Sequence, residues 1–161
     1  MEKTILKIAL IDPRIPPNTG NIARLCAAND FELHLVGKIG FSLDDKNLKR
    51  AGLDYWEHVK LFIHKSFDSF IKEQKDISKV FFFSKSGSIS FFEVNFRNND
   101  VLVFGPENKG LSEEVTSRYP DQLINIPMQT NNVRSLNLSS AVAIAAYEAM
   151  RQIGMTLNRY P

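Results

Sequence analysis

The chain has 161 residues, a formal net charge of +2, 43% hydrophobic and 24% charged residues. This composition is typical of one globular domain, so we expect a single domain over residues 1–161. No apolar run is long enough to cross a membrane, no signal-peptide cleavage site is evident, and the single Cys26 excludes an internal disulfide or a cysteine zinc cluster. We therefore expect a cytoplasmic protein, and its mild positive charge permits a nucleic-acid partner without requiring one.

Six short apolar segments predict six β-strands, and several are apolar throughout, as in strands that are buried on both faces. They lie at residues 5–11, 32–36, 59–63, 79–83, 100–104 and 122–126. Helical patterns fit between most of them, at residues 19–28, 44–52, 66–75, 112–118 and 139–153. This alternation predicts an α/β fold with a mostly parallel six-stranded sheet and helices on both faces.

The first motif, "PRIPPNTGNIAR" at residues 13–24, follows the first predicted strand. Ligands bind parallel sheets beyond the carboxyl ends of the strands, so this position is favourable for a site. Asn18 or Thr19 can cap the next helix, and Gly20 permits a tight turn. Arg24, one turn into the helix, could bind a phosphate there. An ordinary strand-to-helix turn explains the segment equally well.

The second motif, "FGPENKGL" at residues 104–111, follows a buried strand. Gly105 and Gly110 bracket a polar tip, and glycine lets the backbone approach a ligand closely. The segment is neither a phosphate-binding Walker loop nor a dinucleotide-binding glycine motif, because Leu111 follows Gly110 where the former needs lysine. A structural turn is the alternative.

The third motif, "IPMQTNNVRSLNLSSAVA" at residues 126–143, reads as a strand end, a polar loop and an alanine-rich helix. Ser135 and Asn137 could face a ligand, although a capped core helix is the alternative. The remaining titratable residues indicate no metal site. The three histidines lack metal-ligand spacing and are expected to be structural or exposed: His34, His58 and His64.

Together and in this order, the motifs resemble the SPOUT superfamily of RNA methyltransferases over almost the whole chain. Within it, the chain is similar to the tRNA (cytidine(34)-2'-O)-methyltransferases. The matching segments are "IPPNTGNIARLCA" (15–27), "LHLVGKIGFSLDDKNLKRAGLDYWE" (33–57), "FGPENKGL" (104–111), "IPM" (126–128) and "RSLNLSSAVAIAAYEAMRQ" (134–152).

The resemblance implies a homodimer whose C-terminal part forms a trefoil knot and binds S-adenosylmethionine. The implied reaction is 2'-O-methylation of cytidine, and of modified uridine, at the wobble position of tRNA, with leucine isoacceptors as substrates. No metal is implied. By position, the residues that would bind the cofactor are Phe83, Gly105, Ile126, Met128, Ser135 and Leu136.

Three residues are candidates for contact with the substrate. Arg24 is the candidate catalytic residue and would contact the substrate together with Asn18 and Glu107, although Asn18 could instead shape the loop. A guanidinium stays protonated near neutral pH, so Arg24 would stabilise negative charge on the ribose oxygen, with a general-base role as the alternative. Two other functions remain open: methylation of another tRNA position or of ribosomal RNA, and a catalytically silent RNA-binding dimer.

Overall fold

One parallel sheet runs through the part of the chain that the computed structural model describes, which is residues 6–44, 46 and 55–154. Its seven strands follow the order β3-β2-β1-β6-β4-β7-β5, and neighbouring strands pair in parallel. The strands are β1 (Lys7–Ile11), β2 (Glu32–Val36), β3 (Lys60–His64), β4 (Val80–Phe83), β5 (Ile89–Ser90), β6 (Val101–Phe104) and β7 (Leu123–Asn125). The predicted parallel α/β class is confirmed.

Four α-helices connect the strands within the described residues. They are α1 (Pro16–Asn29), α2 (Phe67–Lys72), α3 (Glu113–Arg118) and α4 (Leu138–Ile153). Short 3-10 turns lie at Trp56–His58, Ile77–Lys79, Phe91–Glu93 and Pro120–Gln122. None of these described helices has the length and apolarity needed to span a membrane.

The sheet is buried on both faces, because successive strand residues point to opposite sides. Ile8 and Leu10 of β1 belong to one core, which α1 and α4 cover, and Ala9 and Ile11 belong to a second core. The second core includes Phe70 of α2 and Val115 of α3. Helices therefore pack on both faces, as the apolar strands predicted.

The prediction of six strands is wrong, because β5 is a seventh strand. Ile89–Ser90 pairs with β7 at one edge of the sheet. A Cβ on Gly87 would lie 2.7 Å from the carbonyl carbon of Ile124, so only glycine lets this segment approach β7 so closely. Two residues are too few to give the periodic pattern from which a strand is predicted.

The start of α1 also differs from the prediction. The helix begins at Pro16, and Asn18, Thr19 and Gly20 lie buried within its first turns instead of capping it or turning into it. Proline is favoured at the first helical position because an amide there would have no acceptor within the helix, so its absence costs nothing. The helix predicted at residues 44–52 falls on a segment of which only residues 44 and 46 are described.

Candidate active site

A cavity opens at the carboxyl edge of the sheet, beyond β4 and β6. These strands pair so that Phe83 lies beside Phe104, and the two rings stack with centroids 4.7 Å apart. The loops that follow both strands, with the segment after β7, enclose a cavity of about 300 Å³. This volume is within the range of small-molecule sites, and this edge is where parallel sheets bind ligands.

The structure brings together all six residues that were predicted to bind a cofactor. Each lines this one cavity: Phe83, Gly105, Ile126, Met128, Ser135 and Leu136. They come from three separate segments of the sequence, and the sheet topology alone unites them. Apolar side chains supply most of these positions, which suits a ligand with flat or aliphatic parts. Their role as cofactor ligands stays a prediction.

Gly105 is required by the loop itself. A Cβ at this position would lie 2.3 Å from the carbonyl carbon of Gly110 and from the amide nitrogen of Leu111. The loop is closed by the Gly110 amide, which donates to the Pro106 carbonyl over 2.8 Å, and Gly110 has a left-handed φ of +67°. The sequence pattern was interpreted as close approach to a ligand, but the contact that excludes a side chain here is with the returning backbone.

Glu107 joins this loop to the start of α1. Its carboxylate accepts hydrogen bonds from the backbone amides of Arg14 and Ile15, each 3.0 Å long. Ile15 is the N-cap of α1 and provides no side-chain cap, so Glu107 satisfies donors that precede the helix. A negative charge is also favourable at the positive end of the helix dipole. Glu107 therefore holds the cavity loop against α1, and its predicted contact with substrate stays a prediction.

Asn18 extends this connection to α4. The residue is only 6% exposed, and its side-chain amide nitrogen lies 3.5 Å from Oε1 of Glu107. Its Oδ1 accepts a 3.1 Å hydrogen bond from Nδ2 of Asn137, the N-cap of α4. One buried amide thus bridges the cavity loop and the helix that lines the cavity. This network was not foreseen, because its members are far apart in sequence.

Arg24 does not line this cavity. It is exposed on α1, beside a shallow depression that Asn21, Ser139 and Ser140 also line. Its guanidinium carbon lies 5.9 Å from the centroid of the Tyr55 ring. The structure therefore separates the predicted catalytic arginine from the predicted cofactor residues within one chain.

The described residues support neither a cysteine nucleophile nor a metal site. Burial raises the pKa of the Cys26 thiol to about 12, which makes it a poor nucleophile. Among residues 6–44, 46 and 55–154, no group of three or more His, Cys, Asp or Glu side chains is placed to hold a metal ion.

Comparison with known proteins identifies close relatives. Residues 5–147 match the SpoU rRNA methylase family. The tRNA (cytidine(34)-2'-O)-methyltransferase of Burkholderia cenocepacia is 43% identical over 152 residues, which cover 93% of this chain and 97% of that protein. The protein of the same name from Methylovorus glucosotrophus is 46% identical over 146 residues, covering 90% and 94%.

Solved structures show the same relationship. A structure that concerns the 2-OH methylation of C/U34 on tRNA superimposes with a TM-score of 0.87 and 48% identity, covering 93% of this chain and 97% of that one. An AdoMet-bound rRNA methyltransferase from Sinorhizobium meliloti has a TM-score of 0.82 and 25% identity, covering 96% and 59%. The resemblance to SPOUT RNA methyltransferases is thus confirmed, and the chain belongs to the SpoU rRNA methylase family.

Proposed function

We propose that this chain is an S-adenosylmethionine-dependent tRNA 2'-O-methyltransferase that modifies the wobble nucleotide. Cytidine is the expected base and modified uridine the second, in leucine tRNAs, and the enzyme works in the cytoplasm as a single domain. The observation that carries the proposal is the cavity, around which all six predicted cofactor residues converge. Relatives that are 43% and 46% identical bear the name of this activity.

The cavity fits S-adenosylmethionine. Adenine is flat and largely apolar, and Phe83, Ile126, Leu136 and Leu138 supply apolar lining. The backbone of the loop that begins at Gly105 offers donors and acceptors to the edge of the base. When bound, the cofactor supplies a methyl group that its sulfonium makes electrophilic. The chain must then orient a ribose 2'-hydroxyl toward that group, which is a positioning contribution to the rate.

A trefoil knot in the C-terminal part is the second component of the proposal. The strand order supports it, because β7 lies between β4 and β5, two strands that precede it in the chain. The segment that leads from β7 into α4 lines the same cavity as the loop after β6, and Arg134 of this segment donates to the Asn108 carbonyl of that loop. A knotted arrangement would hold this segment close to the cofactor.

We also propose that the enzyme is a homodimer in which Arg24 serves the cavity of the partner subunit. Arg24 is exposed on α1 and does not line the cavity of its own chain. The neighbouring helix α4 exposes Ile144 and Tyr147, which are 41% and 52% accessible and provide apolar area for a subunit contact. A dimer would bury this area and complete the site.

Arg24 would then stabilise the transition state. A guanidinium remains charged at neutral pH, so it can neutralise charge that develops on the ribose oxygen, and it can bind a phosphate next to that ribose. Asn18 and Glu107 would contact the substrate beside Arg24 and would also position the surrounding elements. Their hydrogen bonds with Asn137 and with the start of α1 support a positioning role for both residues.

Ribosomal RNA is the second candidate substrate, because the family and one structural neighbour carry that description. That neighbour is 25% identical, and this chain covers only 59% of its length. The tRNA enzymes are nearly as long as this chain and far more similar, so the tRNA substrate is favoured.

Transfer of a labelled methyl group distinguishes these candidates and also a silent RNA-binding dimer. Unmodified leucine tRNA and ribosomal RNA are offered to the purified protein, and the methylated nucleosides are then identified. We expect 2'-O-methylcytidine from tRNA and no label in ribosomal RNA. Label in ribosomal RNA alone would overturn the proposed substrate, and no transfer to either RNA would favour the silent dimer.

A further inference from the structure

Two tight turns at the mouth of the cavity each present an exposed lysine. In the turn after β4, the Gly87 amide donates to the Ser84 carbonyl over 3.0 Å, and Lys85 lies between these residues. In the turn after β6, the amide of Lys109 donates to the Pro106 carbonyl over 3.3 Å. Both lysines are exposed and both line the cavity.

These turns lie next to each other because their strands are neighbours. β4 and β6 pair in parallel along their whole length, from Val80 beside Val101 to Phe83 beside Phe104. Their carboxyl ends therefore meet at one edge of the sheet, and the two turns emerge side by side. Lysine has a long flexible stem, so an ammonium group on either turn can reach a ligand that enters the mouth.

The lining of the cavity carries more positive than negative charge, which favours the binding of an anion. Within the described part of the chain, the charged residues around the cavity are Lys85, Glu107, Lys109 and Arg134. The carboxylate of Glu107 already accepts two backbone amides, and Arg134 donates to the Asn108 carbonyl over 2.8 Å. S-adenosylmethionine carries a sulfonium, an ammonium and one carboxylate, so it is a net cation. Binding of S-adenosylmethionine therefore does not neutralise the excess positive charge at the mouth.

We propose that Lys85 and Lys109 bind the backbone phosphates that flank the methylated ribose. This inference rests on the proposed function, because the ribose must reach the cavity for its 2'-oxygen to meet the methyl group. The phosphates on either side of that ribose then lie at the mouth, beside the two turns. Contacts of this kind fix the position of the strand and carry no information about base identity.

The test is the salt dependence of tRNA binding by the full-length protein. The Lys85→Gln/Lys109→Gln double variant is compared with Lys72→Gln/Lys75→Gln, which removes the same charge from exposed positions that do not line the cavity. Dissociation constants for an unmodified tRNA with a wobble cytidine are measured over a series of salt concentrations. Calorimetry gives the dissociation constant for S-adenosylmethionine.

We expect the cavity variant to bind tRNA several-fold more weakly and to reduce the salt slope by roughly 0.7 for each lost lysine. Its affinity for S-adenosylmethionine should stay within about twofold of the wild type, because phosphate contacts do not involve the cofactor. The control variant should keep both the tRNA affinity and most of the slope.

Unchanged tRNA affinity and slope in the cavity variant would overturn the inference. So would weaker cofactor binding with an unaltered slope, because the lysines would then bind the cofactor carboxylate. Failure of the proposed function has a different signature. A wild type that binds tRNA through these lysines but transfers no methyl group would refute the activity and leave the phosphate contacts standing.

Discussion

Nδ1 of His34 lies 2.9 Å from Nε2 of His64, and both imidazoles are buried, with 5% and 6% of each residue exposed. They come from β2 and β3, which pair in parallel at one end of the sheet. Nε2 of His34 lies 3.1 Å from a carboxylate oxygen of Glu32, and Nδ1 of His64 lies 3.6 Å from one of Glu73. The two strands are therefore joined by a buried imidazole pair, with a carboxylate at each end, in addition to their backbone hydrogen bonds.

This pair predicts that acid weakens the fold through His34. The pKa of His34 lies below its ordinary value: burial is the largest cause, the charges of His64 and Lys7 lower it further, and the neighbouring Glu32 opposes the shift. The unfolded chain, with an ordinary histidine pKa of about 6.5, then binds the proton more readily. The contribution to stability is complete above that pH and is lost as the pH falls below it. In urea unfolding, the wild type should lose more stability below about pH 6.5 than the His34→Gln/His64→Gln variant.

Asp100 has the opposite effect on the pH dependence of stability. The wild type must therefore be compared with a variant that retains Asp100. Burial raises the pKa of Asp100 to about 6, and the folded state therefore gains stability as the pH falls through that value. This contribution cancels in the difference between wild type and variant. His58→Gln is the control, because His58 is exposed. Parallel pH profiles for the wild type and the double variant would contradict the prediction.

Gly105→Ala should disrupt the cavity loop. The new methyl group would lie 2.3 Å from the returning backbone, so the loop must open. We expect a loss of about 1–3 kcal/mol in the free energy of unfolding, as for other overpacked sites, and at least a tenfold weaker affinity for S-adenosylmethionine. Chemical denaturation and calorimetry measure these two quantities.

Gly110→Ala is the matched substitution in the same loop. Its methyl group would meet no atom within 4 Å, and only the left-handed backbone at φ +67° is strained. A cost of roughly 1 kcal/mol is expected, with a smaller effect on cofactor affinity. Equal cofactor affinity in the two variants would contradict the claim that the close approach of Gly105 to the returning backbone shapes the cavity.

Asn18→Asp should make cofactor binding depend on pH. It places a second carboxylate next to that of Glu107, and it removes the donor that lies 3.5 Å from Oε1. Like charges at this distance raise the pKa of the pair, so the repulsion is relieved when a proton is shared in acid. Calorimetry should show weakened S-adenosylmethionine binding at neutral pH and partial recovery in acidic buffer.

Asn21→Asp provides the control for this experiment. It introduces the same charge on the same helix, at an exposed position that does not line the cavity. Its cofactor affinity should match the wild type at each pH. Equal behaviour of the two variants would show that charge on α1, and not the contact between Asn18 and Glu107, controls the cavity.

Arg24→Ala should suppress methyl transfer and preserve cofactor binding. Arg24 does not line the cavity, so the dissociation constant for S-adenosylmethionine should change by no more than about twofold. Loss of a group that stabilises the transition state typically lowers kcat by on the order of 10²- to 10³-fold. Arg24→Lys, which keeps the charge, should retain more activity. Lost cofactor binding in Arg24→Ala would contradict the assigned role.

Mixed dimers test whether Arg24 acts across a subunit interface. Arg24→Ala chains keep the cavity, and Gly105→Ala chains keep the arginine. If Arg24 serves the partner subunit, a mixed dimer contains one complete site, and co-refolding the two inactive proteins should restore part of the activity. If each arginine serves its own chain, no site is complete and the mixture stays inactive, which would contradict the proposed arrangement.

The sequence predicted most of the sheet because six of its strands are long enough to show continuous apolar character. It missed β5, whose two residues carry no such signal and whose pairing depends on Gly87 and the backbone of β7. It placed the start of α1 at local capping residues, although the donors there are satisfied by Glu107, more than 90 positions away. Local patterns contain no information about such distant partners.

The cavity residues were identified because a family resemblance supplied them, and the structure then showed that they line one cavity. The pairing of His34 with His64 was not predictable from their spacing. It depends on the parallel register of β2 and β3, which sets Val36 beside His64. Lys85 and Lys109 were overlooked for a related reason. Each is an ordinary exposed lysine in the sequence, and only the adjacency of β4 and β6 brings them together.

The most direct test of the proposed function uses two leucine tRNAs that differ by a single oxygen. One carries cytidine at the wobble position and the other carries 2'-deoxycytidine there, and each is incubated with the protein and labelled S-adenosylmethionine. We expect label in the first tRNA and none in the second, because the accepting hydroxyl is missing. Equal labelling of both would show that the methyl group goes elsewhere and would contradict wobble-position 2'-O-methylation.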